Sequence, residues 1–101
     1  MYEPIVIAKS AIVLDPNDPA GHLALAMVLL KAGRAEEAEQ RVREAMRLDP
    51  HYPTHYLVLS AWTEFSMGRY ADAAATLEQA VDRGARNHRT YIYLAAVGPP
   101  G

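Results

Sequence analysis

The chain has 101 residues, of which half are hydrophobic and 22% are charged, and it carries a formal net charge of −2 and no cysteine. This length allows a single domain whose fold needs no disulfide, and the slightly acidic balance argues against a nucleic-acid surface, which needs clustered lysine and arginine. The longest apolar run, residues 23–30, is far shorter than the about 20 residues of a membrane helix, so we expect a protein that is soluble, binds no membrane and is cytoplasmic by default.

Prolines and glycines divide the chain into stretches of helical length. No stretch alternates between polar and apolar residues as a strand does, and alanine is abundant, which favours helices. Proline starts or stops helices and glycine is typical of their ends. The sequence therefore predicts six helices, near residues 4–14, 19–32, 35–47, 54–67, 70–83 and 88–97.

The predicted helices differ in how their apolar residues are distributed. The first ten residues, with Glu3 and Pro4 and no basic cluster, do not resemble a secretory signal. The second helix is apolar almost all round, so it is either covered on two sides or lines a groove. The third has an apolar stripe and an outer face of charges, on which Glu37–Arg41 and Glu39–Arg43 have the spacing of favourable pairs.

One sequence motif occurs twice in the chain. Residues 45–53 repeat the pattern of residues 11–19, because Leu14, Asp15, Pro16 and Pro19 each recur 34 residues later. Gly33 recurs as Gly68 after 35 residues. A period of this size is typical of a stacked helical repeat. The chain thus contains one extra residue, which we place between Ala61 and Gly68, either as a longer turn through Ser66 and Met67 or as a π-bulge in the fourth helix.

The repeated positions resemble the tetratricopeptide repeat, whose degenerate signature spaces large, small, glycine and proline residues at fixed offsets. The first copy holds them at His22, Leu25, Ala26, Leu29, Gly33, Ala35, Ala38, Val42, Ala45 and Pro50. The second copy holds Tyr56, Leu59, Ser60, Gly68, Tyr70, Ala73, Leu77 and Ala80, and a third begins with Tyr91, Leu94 and Ala95. A pentatricopeptide array shares the spacing, but it should be basic, and this chain is not.

The resemblance implies an all-α fold, a right-handed superhelical solenoid of antiparallel helix hairpins with about six helices. The whole chain, residues 1–101, would be one repeat domain: a half repeat 1–18, repeats 19–53 and 54–87, and a half repeat 88–98. The half repeats at the two ends of the chain are apolar. This indicates either that the chain is a fragment of a longer protein or that its ends pair between chains.

The resemblance also implies a function, which is a non-catalytic scaffold that binds a peptide or helix of a partner protein in an apolar concave groove. In this family the first helix of each hairpin lines that groove. The expected groove residues are Leu23, Met27, Leu30, Lys31, Thr54, Leu57, Val58, Ala61, Glu64, Phe65, Arg89, Ile92 and Tyr93. Because these positions are mostly apolar, we expect no clamp for a peptide carboxylate.

Two alternatives stay open. The groove or the end helices could pair between copies, which would make the chain a self-association module. The chain could also be a regulatory segment of a larger bacterial signalling enzyme or transcription regulator, a possibility with which its excess of arginine over lysine is compatible.

Single residues offer few further sites. Trp62 is expected to be packed between helices rather than to anchor a partner, and His22 to be a packed histidine. His51 and His55 have a metal-ligand spacing, but Pro53 between them interrupts any common helix. The sequence contains no nucleophile elbow, phosphate loop or acid–base pair, so we expect no enzyme, cofactor or metal.

Overall fold

The structure is a computed structural model and describes residues 3–84. These residues form α1 (Glu3–Leu14), α2 (Pro19–Lys31), α3 (Ala35–Leu48), α4 (Thr54–Ser66) and α5 (Tyr70–Asp82), and they contain no strand. The predicted all-α repeat class is confirmed, and each end of the five helices lies within one residue of its predicted position. The predicted sixth helix, residues 88–97, lies outside the described residues.

The chain divides into two compact units, Met1–Tyr52 and Pro53–Gly101. In the first unit α2 packs against both α1 and α3, and in the second α4 packs against α5. The pairs α2–α3 and α4–α5 are helix hairpins, because each pair is joined by only three residues and its helices pack together.

The two hairpin turns have the same backbone geometry. Gly33 and Gly68 have positive φ angles of 81° and 79°. In each turn the glycine N–H donates to the carbonyl three residues earlier, and the N–H of the next arginine donates to the carbonyl five residues earlier, from Arg34 to Leu29 at 2.8 Å and from Arg69 to Glu64 at 2.9 Å. This is the Schellman ending of a helix, which needs a left-handed residue that glycine supplies without strain.

The extra residue of the second repeat lies in a linker, which corrects the sequence-based placement. Helices α2 and α4 both have 13 residues, and both are followed by three-residue turns, so neither a π-bulge in α4 nor a longer turn at residues 67–69 accounts for it. The linker before α2 comprises residues 15–18, whereas the linker before α4 comprises residues 49–53. An insertion in a linker leaves the hydrogen bonds of both hairpins unchanged, which an insertion in a helix would not.

Small residues occupy the most buried positions of both hairpins. Five alanines from the repeat signature have no exposed surface: Ala26, Ala38, Ala45, Ala73 and Ala80. Leu29 and Val42 are the largest fully buried side chains of the first unit, and Leu77 and Thr63 those of the second. The core of each described unit therefore lies between paired helices, and it combines close backbone approach with a few large side chains.

Replacement of Gly33 by alanine tests the turn geometry. No atom lies within 4 Å of an added Cβ, so only the positive φ of 81° opposes the change. We expect Gly33→Ala to lower the free energy of unfolding by about 1 kcal/mol in urea titrations followed by circular dichroism. Gly33→Asn should cost less, because asparagine tolerates the left-handed region, and equal losses for both variants would contradict this explanation.

Candidate functional site

An apolar stripe runs along the outer side of α2. Leu23, Met27 and Lys31 follow one another at intervals of four and so share one face of the helix. Met27 is 46% exposed, Lys31 is exposed and Leu23 is half-buried. Leu30, which the sequence placed in the same groove, follows Leu23 by seven residues and so lies on the same side of α2, but it is buried.

The predicted groove residues of α4 divide into buried and accessible sets. Leu57 is only 4% exposed and Ala61 is also buried, so neither side chain offers much surface to a partner. Thr54 and Val58 are half-buried, and Val58 packs against the cluster of Ala61, Ala73 and Leu77. Phe65 is 37% exposed, which makes it the most accessible of the predicted residues on this helix.

Aromatic side chains surround the end of α4. Phe65 and Tyr70 contact each other edge to face, with their ring centroids 5.2 Å apart. Trp62, one turn before Phe65, is also 37% exposed, so the expectation that it is packed between helices is wrong. Tyr70 did not figure among the predicted groove residues, although its place two residues after Gly68 could have indicated that it returns towards α4.

Glu64 lies inside the second hairpin. It is 8% exposed, and Thr76 Oγ1 of α5 donates a hydrogen bond to its Oε1 at 2.7 Å. Arg69 Nη2 lies 4.0 Å from the other carboxylate oxygen, Oε2. The Glu64 carboxylate therefore joins α4 to α5.

The outer face of α3 is charged, in contrast to that of α2. Glu39 pairs with Arg43 at 3.2 Å as predicted, but Glu37 accepts from Arg34 Nε at 2.8 Å and does not pair with Arg41. Within the first hairpin the apolar surface thus belongs to the first helix and the charged surface to the second.

A further ion pair joins Glu44 to Arg47 on α3. The hydrogen bond from Arg47 lowers the pKa of the Glu44 carboxyl below its ordinary value. Both charges therefore persist at neutral pH, which keeps this helix face polar.

The described part of the chain contains neither a metal-binding cluster nor a membrane-spanning helix. No group of three His, Cys, Asp or Glu side chains in residues 3–84 could hold a metal ion. His51 lies in the linker and His55 in α4. None of the described helices is long and apolar enough to cross a bilayer.

The comparison with known proteins identifies the repeat. Residues 5–62 match a family model described as tetratricopeptide repeat, and residues 58–97 match a second model of the same description. The chain belongs to the tetratricopeptide repeat family. Tetratricopeptide repeat domains generally mediate protein–protein interaction. No curated protein matches the sequence.

Solved tetratricopeptide repeat structures share the fold. The second such domain of human RPAP3, solved in complex with the HSP70 peptide SGPTIEEVD, has 22% identity and a TM-score of 0.80, with 92% of this chain and 77% of that chain covered. The Arabidopsis OM64 domain has 19% identity and a TM-score of 0.82, with 92% and 76% covered. At these identities the likeness establishes the fold alone.

The remaining predicted groove residues fall in the last part of the chain. Arg89, Ile92 and Tyr93 lie outside the described residues. The accessible candidates in residues 3–84 are therefore Met27, Lys31 and Phe65, with Leu23, Thr54 and Val58 partly accessible beside them.

Replacement of Thr76 tests the role of Glu64. Thr76→Val keeps the shape of the side chain but removes the donor to a buried carboxylate, and we expect a loss of about 2 kcal/mol in the free energy of unfolding. Thr76→Ser, which keeps the hydroxyl, should lose clearly less. A Thr76→Val protein as stable as the unaltered chain in urea titrations would show that this hydrogen bond does not hold the hairpin together.

Proposed function

We propose that this tetratricopeptide repeat chain is a non-catalytic module that binds a peptide or helix of a partner protein through apolar surface on the first helices of its hairpins. The repeats are residues 19–53 and 54–87, with α2 and α4 as their first helices. The observation that carries the proposal is the exposure of Met27, a large apolar side chain in the centre of the α2 stripe.

The distribution of surface chemistry supports this proposal. In the first hairpin, α3 turns ion pairs outwards, whereas α2 turns Met27 and Leu23 outwards. A helix that only had to be soluble would carry polar residues on its outer face. Exposed apolar surface that is not needed for the hairpin core is typical of contact with another molecule.

The chemistry of the stripe favours an amphipathic or apolar segment as the ligand. Methionine adapts to differently shaped apolar partners because its side chain is unbranched and flexible. Phe65 and Tyr70 supply aromatic area on the second unit, of the kind that often anchors interfaces. Apolar anchors spaced along a helix of the partner would match such a surface.

The proposed ligand differs in character from the peptide in the RPAP3 structure. That peptide, SGPTIEEVD, contains three acidic residues. On the stripe of this chain only Lys31 is positively charged. We therefore propose that apolar burial, and not the grip of a carboxylate, dominates binding on this stripe.

Self-association is the second candidate, and α1 is the feature that favours it. Ile5 and Ala8 are buried on one side of α1, while Val6, Ile7, Val13 and Leu14 remain exposed on the other. This apolar face would suit a second copy of the chain. Under this alternative the chain would act as an oligomerisation module, on its own or as a regulatory segment of a larger bacterial protein.

Selection from a displayed library of amphipathic helical peptides tests the first candidate. We expect Met27→Glu to weaken the binding of peptides that contact α2, and Phe65→Glu that of peptides that contact α4, by at least about tenfold in fluorescence anisotropy, because a charge would be buried in an apolar contact. Gln79→Glu, on the exposed side of α5, introduces the same carboxylate and should leave affinity unchanged. Peptides that bind all four proteins equally would refute the assignment of the stripe.

Light scattering after size-exclusion chromatography separates the two candidates. The partner-binding proposal expects a mass of 11.1 kDa, that of one chain, over the whole accessible concentration range. A dimer that Val13→Glu converts to monomer, while Met27→Glu does not, would instead support association through α1.

A further inference from the structure

The first unit contains a cleft on the side of α2 opposite to the Met27 stripe. It has a volume of about 350 Å³ and lies among α1, α2 and α3. Leu25 and Leu29 of α2 line it, and on a helix these residues point away from Met27. The cleft is therefore separate from the surface to which the proposed function is assigned.

Apolar side chains form much of the cleft lining. Leu25 and Leu29 are buried, and Ile12 and Val13 approach from α1. Val13 is 80% exposed, so apolar surface continues from the interior of the cleft to its rim. A partner's apolar side chain that entered here would remove this surface from water.

The polar side of the cleft is built on a buried histidine. His22 is 4% exposed, its Nε2 lies 3.0 Å from the Pro16 carbonyl oxygen, and its Nδ1 lies 3.3 Å from Arg41 Nη1. A carbonyl only accepts and a guanidinium only donates, so Nε2–H donates to Pro16 while Nδ1 accepts from Arg41. The histidine thereby holds the guanidinium of Arg41 at the cleft.

The cleft carries more positive than negative charge. Arg41 donates to His22 Nδ1, which supplies no negative charge, and Lys9 faces the same space from α1. The acidic lining residue, Glu37, is paired with Arg34 at 2.8 Å. Glu44, which is near enough to Arg41 to interact with it electrostatically, is hydrogen-bonded to Arg47. No ion pair within residues 3–84 engages Lys9 or Arg41, which leaves both available to an added carboxylate.

We propose that this cleft binds a peptide segment of a partner protein in which leucine-sized apolar side chains stand beside acidic residues. The apolar side chain would enter over Leu25 and Leu29, and the carboxylates would lie near Arg41 and Lys9. The volume is at the small end of the about 300–1,000 Å³ of ligand sites, which suits a few side chains of a peptide. An arginine held in place in advance loses less freedom on binding, which favours recognition of a carboxylate.

Binding of short peptides, followed by amide chemical shifts of the full chain, tests the proposal. The probe is a blocked tetrapeptide of two leucines flanked by two glutamates, titrated to about 5 mM. We expect shifts concentrated at residues 9–13 and 40–41. Counterparts with glutamine in place of glutamate, or alanine in place of leucine, should bind at least about fivefold more weakly.

Variants that remove a single positive charge test where the peptide binds. Lys9→Gln and Arg41→Gln should each weaken binding of the acidic peptide by about three- to fivefold. They should leave binding of the glutamine counterpart unchanged. Arg43→Gln removes the same charge from α3, but two residues further along and so on another side of the helix, and it should have no effect. The comparison with the glutamine peptide separates loss of charge recognition from damage to the fold.

Three results would overturn the proposal. They are no shifts up to the highest concentration, equal binding of the acidic peptide and a lysine-flanked one, and shifts that centre on Met27 rather than on the cleft. Failure here would be distinguishable from failure of the proposed function, since Met27→Glu should abolish binding at the stripe and leave the tetrapeptide's affinity unchanged.

Discussion

The structure depends on the close packing of two helices within each hairpin. In both hairpins the contact is built around alanines without exposed surface, Ala26, Ala38 and Ala45 in the first and Ala73 and Ala80 in the second. Small side chains let the helix backbones approach, and the left-handed glycine after the first helix reverses the chain so that the second can return along it. A larger residue at these alanines would separate the helices and expose the leucines beside them.

Because each hairpin buries its own core, the outer faces of its helices are left to determine what the protein contacts. In the first unit α3 carries ion pairs on its outer face, whereas α2 exposes Met27 and part of Leu23. On the opposite side of α2, the buried His22 connects the Pro16 carbonyl to Arg41 and so places a cation above apolar surface. One short helix thus supports the core and two chemically different surfaces.

The sequence predicted the helix boundaries closely because the residues that start and end helices act locally. Proline and glycine act on the backbone within a few residues, which is why five helices end within one residue of their predicted positions. The extra residue was misplaced because either a linker or a helix can absorb it without changing the spacing of the glycines. Leu57 and Glu64 lie on the predicted helix, but the sequence did not indicate that both are buried.

By itself, the sequence determined the family and the helix boundaries, since both follow from residue types at fixed spacing. Only the tertiary structure decided which side chains reach the surface and which are buried. It showed that Glu64 bonds to Thr76 across the hairpin, that Arg41 turns to His22 rather than to Glu37, and that a cleft lies among α1, α2 and α3. These outcomes depend on packing between residues distant in sequence, which a local pattern does not contain.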